Sequence, residues 1–222
     1  MGIERLKILG NDYIGAWVTA TDRFFLMGNE VSKGEERILK EALGVEGVRA
    51  TVSGTGFVGI YVAANSKGVL LPYGVEDSEL ESLKQKLSGV RVEVLHTDYN
   101  ALGNNILAND KIAVINLHYG RNDEAAIADA LDVEVVKASV GGFTTVGANN
   151  ILTNRGLVVN NRATEYERAA LEKAVGMPSE QSTANLGSVS IGLCTAANSN
   201  GLVVGDATTG FELSRIADAL GF

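Results

Sequence analysis

The sequence predicts an α/β ring of five repeated units, closed by its own N-terminal strand. Three observations lead there. Glycine recurs at Gly15, Gly59, Gly103, Gly147 and Gly192, at spacings of 44, 44, 44 and 45 residues. Counting from Gly192 through the end of the 222-residue chain and on to Gly15 gives 45 again, so the period is complete only if the termini meet. An apolar pair four residues apart keeps the same period: Leu39 and Leu43, Leu83 and Leu87, Ile127 and Leu131, Leu171 and Val175, Ile216 and Leu220. A repeat of this length marks an architecture in which each unit buries its apolar face on its neighbours.

The second unit shows the order of elements. Residues 57–64 are apolar and rich in β-formers, which predicts a strand. Asn65, Ser66, Lys67 and Gly68 read as a hairpin turn, and a second strand over 69–71 ends at Pro72. Leu80, Leu83 and Leu87 then place a helix over 77–87. A third strand over 90–95 leads to the next glycine. Turn residues recur at Thr21 and Asp22, Asn109 and Asp110, Asn154 to Gly156, and Asn198 to Gly201. Helix starts are marked by Ser32 with Glu35, Thr164 with Glu167 and Thr209 with Glu212, which fit the capping box; Asp77 and Asn122 are expected to cap without an acidic partner. The fifth unit has a helix over 211–220 and no third strand after it. Residues 3–9 precede Gly15 where a third strand belongs, so the first segment is expected to pair into the last unit and remove an open edge. The expected units are 11–54, 55–100, 101–142, 143–187 and 188–222 of a single domain, with 1–10 closing the ring.

Composition bounds the function. Hydrophobic residues make up 45% and charged residues 21%, the balance of a globular chain. A net charge of −8 argues against a broad basic surface for DNA or non-specific RNA binding, and it suits a basic protein partner. The single cysteine, Cys194, excludes an internal disulfide and a cysteine-based zinc site. The start shows no apolar signal region and no run approaches a membrane span, so a cytoplasmic protein is expected.

Where the repeats differ, function can be sought. The residue before each glycine is apolar throughout: Ile14, Val58, Leu102, Val146 and Ile191. After it come Ala16, Ile60, Asn104, Ala148 and Leu193, and only Asn104 is polar. Either Asn104 is satisfied internally or it serves a surface that one unit alone presents, because an unpaired buried amide costs on the order of 1–3 kcal/mol. One position further are Trp17, Tyr61, Asn105, Asn149 and Cys194. Seven positions separate Gly147 from Asn154 and six separate Gly103 from Asn109, which implies an inserted residue and a bulge in unit four. The strand expected over 179–184 is unusually polar for its place. These departures gather in units three to five.

Catalytic candidates are weak. Cys194 shares its place with Trp17 and Tyr61 and so reads as packed. His96 shares a slot with Val52, Val140 and Ala184, which points to the core, and His118 ends a strand. Neither makes a metal-ligand spacing, and no phosphate-binding glycine motif or nucleophile elbow occurs. No enzyme, metal or cofactor is expected.

The five-unit ring, the segment Asn11-Asp12-Tyr13-Ile14-Gly15, the run from Asn100 to Asn105 ahead of Ala108-Asn109-Asp110, and the ending Thr209-Gly210-Phe211-Glu212-Leu213-Ser214 together resemble the translation initiation factor six family, in its short archaeal form. The resemblance covers essentially the whole chain. It implies a pentein fold and a non-enzymatic, monomeric factor. Such a factor binds the intersubunit face of the large ribosomal subunit, near the sarcin–ricin loop and adjacent ribosomal proteins. It blocks joining of the small subunit and acts in large-subunit biogenesis. It also implies that Asn104 lies at the ribosomal-protein contact. Asn100, Asn105, Thr144, Thr145, Asn149, Val189 and Ser190 are expected on the same surface, because they belong to the same loop and strand ends of units three to five. Penteins also include guanidine-modifying hydrolases and transferases that use a cysteine, so Cys194 as a nucleophile is the alternative.

Overall fold

The computed structural model describes residues 2–222. They build five three-stranded sheets, one for each repeat. In the first, Val18–Ala20 runs antiparallel to Phe24–Gly28, which runs parallel to Glu46–Ala50. A parallel pair needs a crossover, and the helix Lys33–Leu43 supplies it. Asp77–Lys86, Arg121–Leu131 and Glu165–Val175 do the same in the next three units. In the fifth, the helix Gly210–Leu220 is the last element. The missing strand is Gly2–Leu6, paired in parallel with Gly201–Gly205. The N-terminal segment therefore completes the last unit, and the arrangement is the pentein one.

Each central strand is buried along its whole length and serves two cores, because successive side chains point to opposite faces. Phe25 and Met27 enter one cluster and Phe24 and Leu26 the next. Leu70 faces one neighbour while Val69 and Leu71 face the other. Five clusters thus fill the five gaps between sheets, each with one helix laid across it. The cluster that joins the ends contains Val203 and Ala196 beside Phe25, Leu39 and Leu43.

The glycines explain the period. A Cβ on Gly59 would lie 1.9 Å from the Gly15 carbonyl oxygen, on Gly103 2.0 Å from that of Gly59, and on Gly147 2.1 Å from that of Gly103. Gly192 meets Gly147 at 2.0 Å and Gly15 meets Gly192 at 2.1 Å, so the five contacts run in a cycle. These glycines line an axial cavity of about 110 Å³. At the other end of the axis the turns are stitched by amides. Asn65 Nδ2 donates to the Asn109 and Leu131 carbonyls, Asn109 Nδ2 to Thr153, and Asn198 Nδ2 to Thr21 and Leu43. The Oδ1 of each of these asparagines accepts from its own turn, for example from Lys67 and Gly68.

Several local expectations change. Residues 57–64 are not one strand: Val58–Tyr61 is a helical turn and only Ala63–Ala64 pairs. The turn brings Gly59 onto its neighbour's backbone, and that contact overrides the β propensity of Val58 and Ile60. The helix caps are Glu76 and Gly120 rather than Asp77 and Asn122. The polar strand is Ser179–Ser182, shorter than 179–184. No residue is inserted after Gly147. Thr153, whose N–H bonds the Gly156 carbonyl, is the counterpart of Asn109, whose N–H bonds that of Ile112. The extra residue lies instead in the turn Ala184 to Ser188. Its pairing spans four positions, where Ile8 with Asn11, Val52 with Thr55 and Val140 with Phe143 span three.

Carboxylates tie these turns to the helices. Glu79 accepts from the Glu76, Ser53 and Gly54 N–H groups, and Glu212 from Thr209, Leu186 and Gly187. Burial raises the pKa of each, and the hydrogen bonds together outweigh it, so both carboxyls sit below the usual value.

Gly59→Ala is expected to cost about 3 kcal/mol or more, because its Cβ meets backbone that cannot yield. Gly210→Ala, whose Cβ meets nothing within 4 Å, is the neutral control; urea melts of both decide the point. Deleting residues 1–9 strips the fifth sheet of its parallel strand and removes buried Ile8. Calorimetry is expected to show one cooperative transition at a much lower temperature. An unchanged melting temperature would refute closure by this strand.

Candidate functional site

The five glycine-bearing segments line one end of the axis: the helical turns Ile14–Ala16, Val58–Tyr61, Leu102–Asn105 and Val146–Asn149, and the turn before Thr195–Ala197. Each is anchored by the apolar residue before its glycine; Ile14, Val58, Leu102, Val146 and Ile191 are all completely buried. The anchor holds the flanking residues at the rim, so Asn104, Asn105 and Asn149, which flank Gly103 and Gly147, fall at this end of the axis.

Asn104 is half-buried, and its Oδ1 has neither solvent nor a hydrogen-bond partner. Of the two readings the sequence leaves open, internal satisfaction of that acceptor is not what the geometry shows. An unpaired buried acceptor of this kind costs about 1–3 kcal/mol, and it sits where the other units carry Ala16, Ile60, Ala148 and Leu193.

The neighbouring asparagines behave differently. Asn105 is buried; its Nδ2 donates to the Ala101 carbonyl at 2.8 Å and its Oδ1 accepts from Asn116 Nδ2 at 2.7 Å. Asn149 is buried too. It accepts from Thr145 Oγ1 at 2.9 Å, and its Nδ2 reaches the Val189 carbonyl at 3.4 Å and Ser190 Oγ at 3.3 Å. Both amides are therefore committed inward, replacing with hydrogen bonds the packing that Trp17 makes on Phe57, 4.4 Å away, in the first unit. Asn149 brings Thr145, Val189 and Ser190 together across the seam between units four and five. Asn100 is exposed and Thr144 half-exposed. The outward members of the expected surface are thus Asn100, Asn104, Thr144, Thr145, Val189 and Ser190.

Two polar substitutions were not anticipated. Asn150 and Thr195 stand where Val18, Val62 and Ile106 stand elsewhere. Asn150 Nδ2 donates to the Val146 carbonyl and Thr195 Oγ1 to that of Ile191. The signal is a polar residue three positions after the glycine, legible only once the units are aligned without the supposed insertion.

Cys194 is fully buried. Burial, partly offset by hydrogen bonds with Ser188 and Asn185 and reinforced by the Glu212 and Asp12 charges, pushes its pKa up to about 11. His96 is not in the core: it is exposed, its ring 4.8 Å from that of Tyr73. His118 lies beside Tyr99, and the two histidines line the same groove, which does not include Cys194. Among the described residues, no group of three or more His, Cys, Asp or Glu could hold a metal ion, and no helix is long and apolar enough to cross a membrane.

The arrangement has known relatives. A sequence model described as the eIF-6 family matches residues 3–219. A translation initiation factor 6 of Pyrococcus abyssi is 36% identical over 225 residues, covering 100% of this chain and 99% of its own. That of Picrophilus torridus is 36% identical over 219 residues, with 98% and 99% covered. That of Methanosarcina mazei is 37% identical over 220 residues, with 99% of each chain covered. Among solved structures, a dimethylarginine dimethylaminohydrolase adduct with S-methyl-L-thiocitrulline is similar at a TM-score of 0.46 and 14% identity, over 76% of this chain and 68% of that one; so slight a likeness says nothing of activity. From Ile3 to Ala219, across all five units, the chain belongs to the eIF-6 family of translation initiation factors.

Proposed function

We propose that this chain binds the large ribosomal subunit at its intersubunit face, near the sarcin–ricin loop and adjacent ribosomal proteins, and so prevents association with the small subunit. The observation that carries the reading is Asn104: a rim residue of a translation-factor family member with a buried acceptor that nothing in the chain satisfies. A turn of this half-buried side chain would bring the acceptor to a partner's donor and relieve that cost. The outward residues of units three to five would form the rest of the contact, and the charge of −8 favours basic ribosomal-protein segments over phosphate. A folded disc that covers ground the other subunit needs requires no chemistry; occupancy follows mass action. The protein would act as a monomer in the cytoplasm, and the same occupancy would serve large-subunit biogenesis.

The alternative, a guanidine-modifying enzyme using Cys194, finds no support in the thiol's surroundings. A nucleophile needs access and a lowered pKa, and this thiol has neither.

Co-sedimentation with purified archaeal large subunits at low salt tests the proposal: binding is expected, and a free factor would overturn it. Asn104→Ala is expected to weaken that binding by roughly tenfold, the effect of a well-placed interface hydrogen bond, and to leave the melting temperature unchanged or slightly raised. A fall of several degrees would make Asn104 part of the scaffold. In a thiol assay on the native protein at neutral pH, Cys194 is expected to label only as fast as the chain unfolds. Rapid labelling would reopen the enzymatic reading.

A further inference from the structure

We infer that the groove between the second and third units is a docking site for an arginine side chain presented by a basic protein segment. It lies where the five-fold pattern is deliberately undone. At four of the five junctions the chain leaving the parallel strand closes a small paired turn, and its first residue, Ile8, Val52, Val140 or Ala184, is almost completely buried. The turn residues there adopt positive φ, as at Ser53 and Gly54 or Gly141 and Gly142. At the remaining junction, His96 to Tyr99, no such pairing forms, no residue has positive φ, and His96 is exposed.

The core is rebuilt to permit this. Tyr119 takes the place held elsewhere by Val31, Val75, Ala163 and Thr208. Tyr119 is 2% exposed and packs into the core cluster with Leu95, Leu102 and Ile127, while His96 lies outside it. Its hydroxyl donates to the Tyr99 carbonyl at 3.3 Å, and the Tyr99 ring meets it edge-on at 5.3 Å. An opened seam that is repacked underneath is a built feature, not a defect.

The carboxylate of this unit is released as well. In units two, four and five the glutamate at the third helical position, Glu79, Glu167 or Glu212, accepts N–H groups from the turn. Here that residue is Asp123, one methylene shorter, and it bonds only the Gly120 N–H, at 2.9 Å. It lines a groove of about 560 Å³ together with Asp98 and the rings of Tyr73, His96, Tyr99 and His118. Tyr99 and His118 lie within 16° of parallel. No lysine or arginine lines the groove.

Aromatic faces beside two carboxylates, with no resident cation, select a flat cation. Guanidinium stacks on rings and bonds carboxylates in a plane, which ammonium cannot do. A nucleic acid could stack its bases on the same rings, but its phosphates would meet Asp98, Asp123 and a chain of charge −8. The inference does not depend on ribosome binding, because the groove and its test involve the free protein alone.

The chain has two histidines and both line the groove, so their ring NMR signals report occupancy directly. The full chain is titrated with a capped Gly-Arg-Gly-Arg-Gly peptide, with the same peptide carrying citrulline for arginine, and with an oligouridine. Saturable shifts of both signals are expected with the arginine peptide, and binding at least about tenfold weaker with citrulline, which keeps the shape and loses the charge. Tyr73→Ala with Asp98→Asn is expected to weaken arginine-peptide binding by a further factor of about ten at an unchanged melting temperature, while Tyr166→Ala, at an exposed ring elsewhere, changes nothing. Should the double variant melt lower, Asp98→Asn alone decides, since that side chain is at the surface. Unmoved histidine signals, equal binding of the citrulline peptide, or shifts with oligouridine alone would each overturn the proposal.

Discussion

Backbone touching backbone about the axis is the constraint on which the rest of this structure hangs. Each of Gly15, Gly59, Gly103, Gly147 and Gly192 packs so closely on its neighbour's carbonyl that a single added carbon would overlap it. Contacts this short fix the distance and angle between successive units, and five equal steps return to the start. The sheets, the helices between them and the divided cores then follow, because every central strand must bury both faces. At the far end of the axis the turn asparagines repeat the arrangement with hydrogen bonds, each amide reaching the next unit's carbonyl.

Such a frame tolerates change beside the glycines better than at them. One place is filled by Trp17, Tyr61, Asn105, Asn149 and Cys194, ranging from a large ring to a thiol. Asn105 and Asn149 hold neighbouring segments with hydrogen bonds where Trp17 packs on Phe57. Asn150 and Thr195 likewise bond the carbonyl four residues back where other units use an apolar side chain. Polar character in units three to five is therefore of two kinds. Most of it is structural and self-satisfied. Asn104 is the exception in these units: its buried acceptor has no partner, a state shared on the rim, among the described residues, only by the Trp17 Nε1 donor of unit one.

The same accounting separates the thiol from chemistry. Cys194 occupies a place that the ring geometry buries in neighbouring units as well, and desolvation there favours the neutral thiol over the thiolate. Both histidines are gathered at the opened junction between units two and three, in a groove that Cys194 does not line. The chain belongs to the eIF-6 family of translation factors, and most of the polar residues that break symmetry beside the glycines are bonded within the fold.

Much of this was legible in the sequence because repetition writes the same physical requirement five times. The glycine period, the helix pairs such as Leu39 and Leu43, the capping boxes at Ser32, Thr164 and Thr209, and the strand that completes the fifth unit could all be read from spacing alone. What spacing could not decide was anything set by a neighbour in space. Val58 and Ile60 favour a strand, yet contact with Gly15 winds them into a helical turn. The extra residue counted after Gly147 belongs to the turn before Ser188, since only hydrogen-bond register distinguishes Thr153 from Asn154 as the counterpart of Asn109. His96 shares a core slot by number, but Tyr119, distant in sequence, packs into that core and the imidazole lies outside it. Asn105 and Asn149 look like surface polarity until their partners are seen. The sequence by itself determined the ring, its period and its closure, because these rest on local turns and on repeated apolar spacing. Tertiary structure alone decided which polar groups are satisfied inward and which face out, because that depends on atoms brought together from different units.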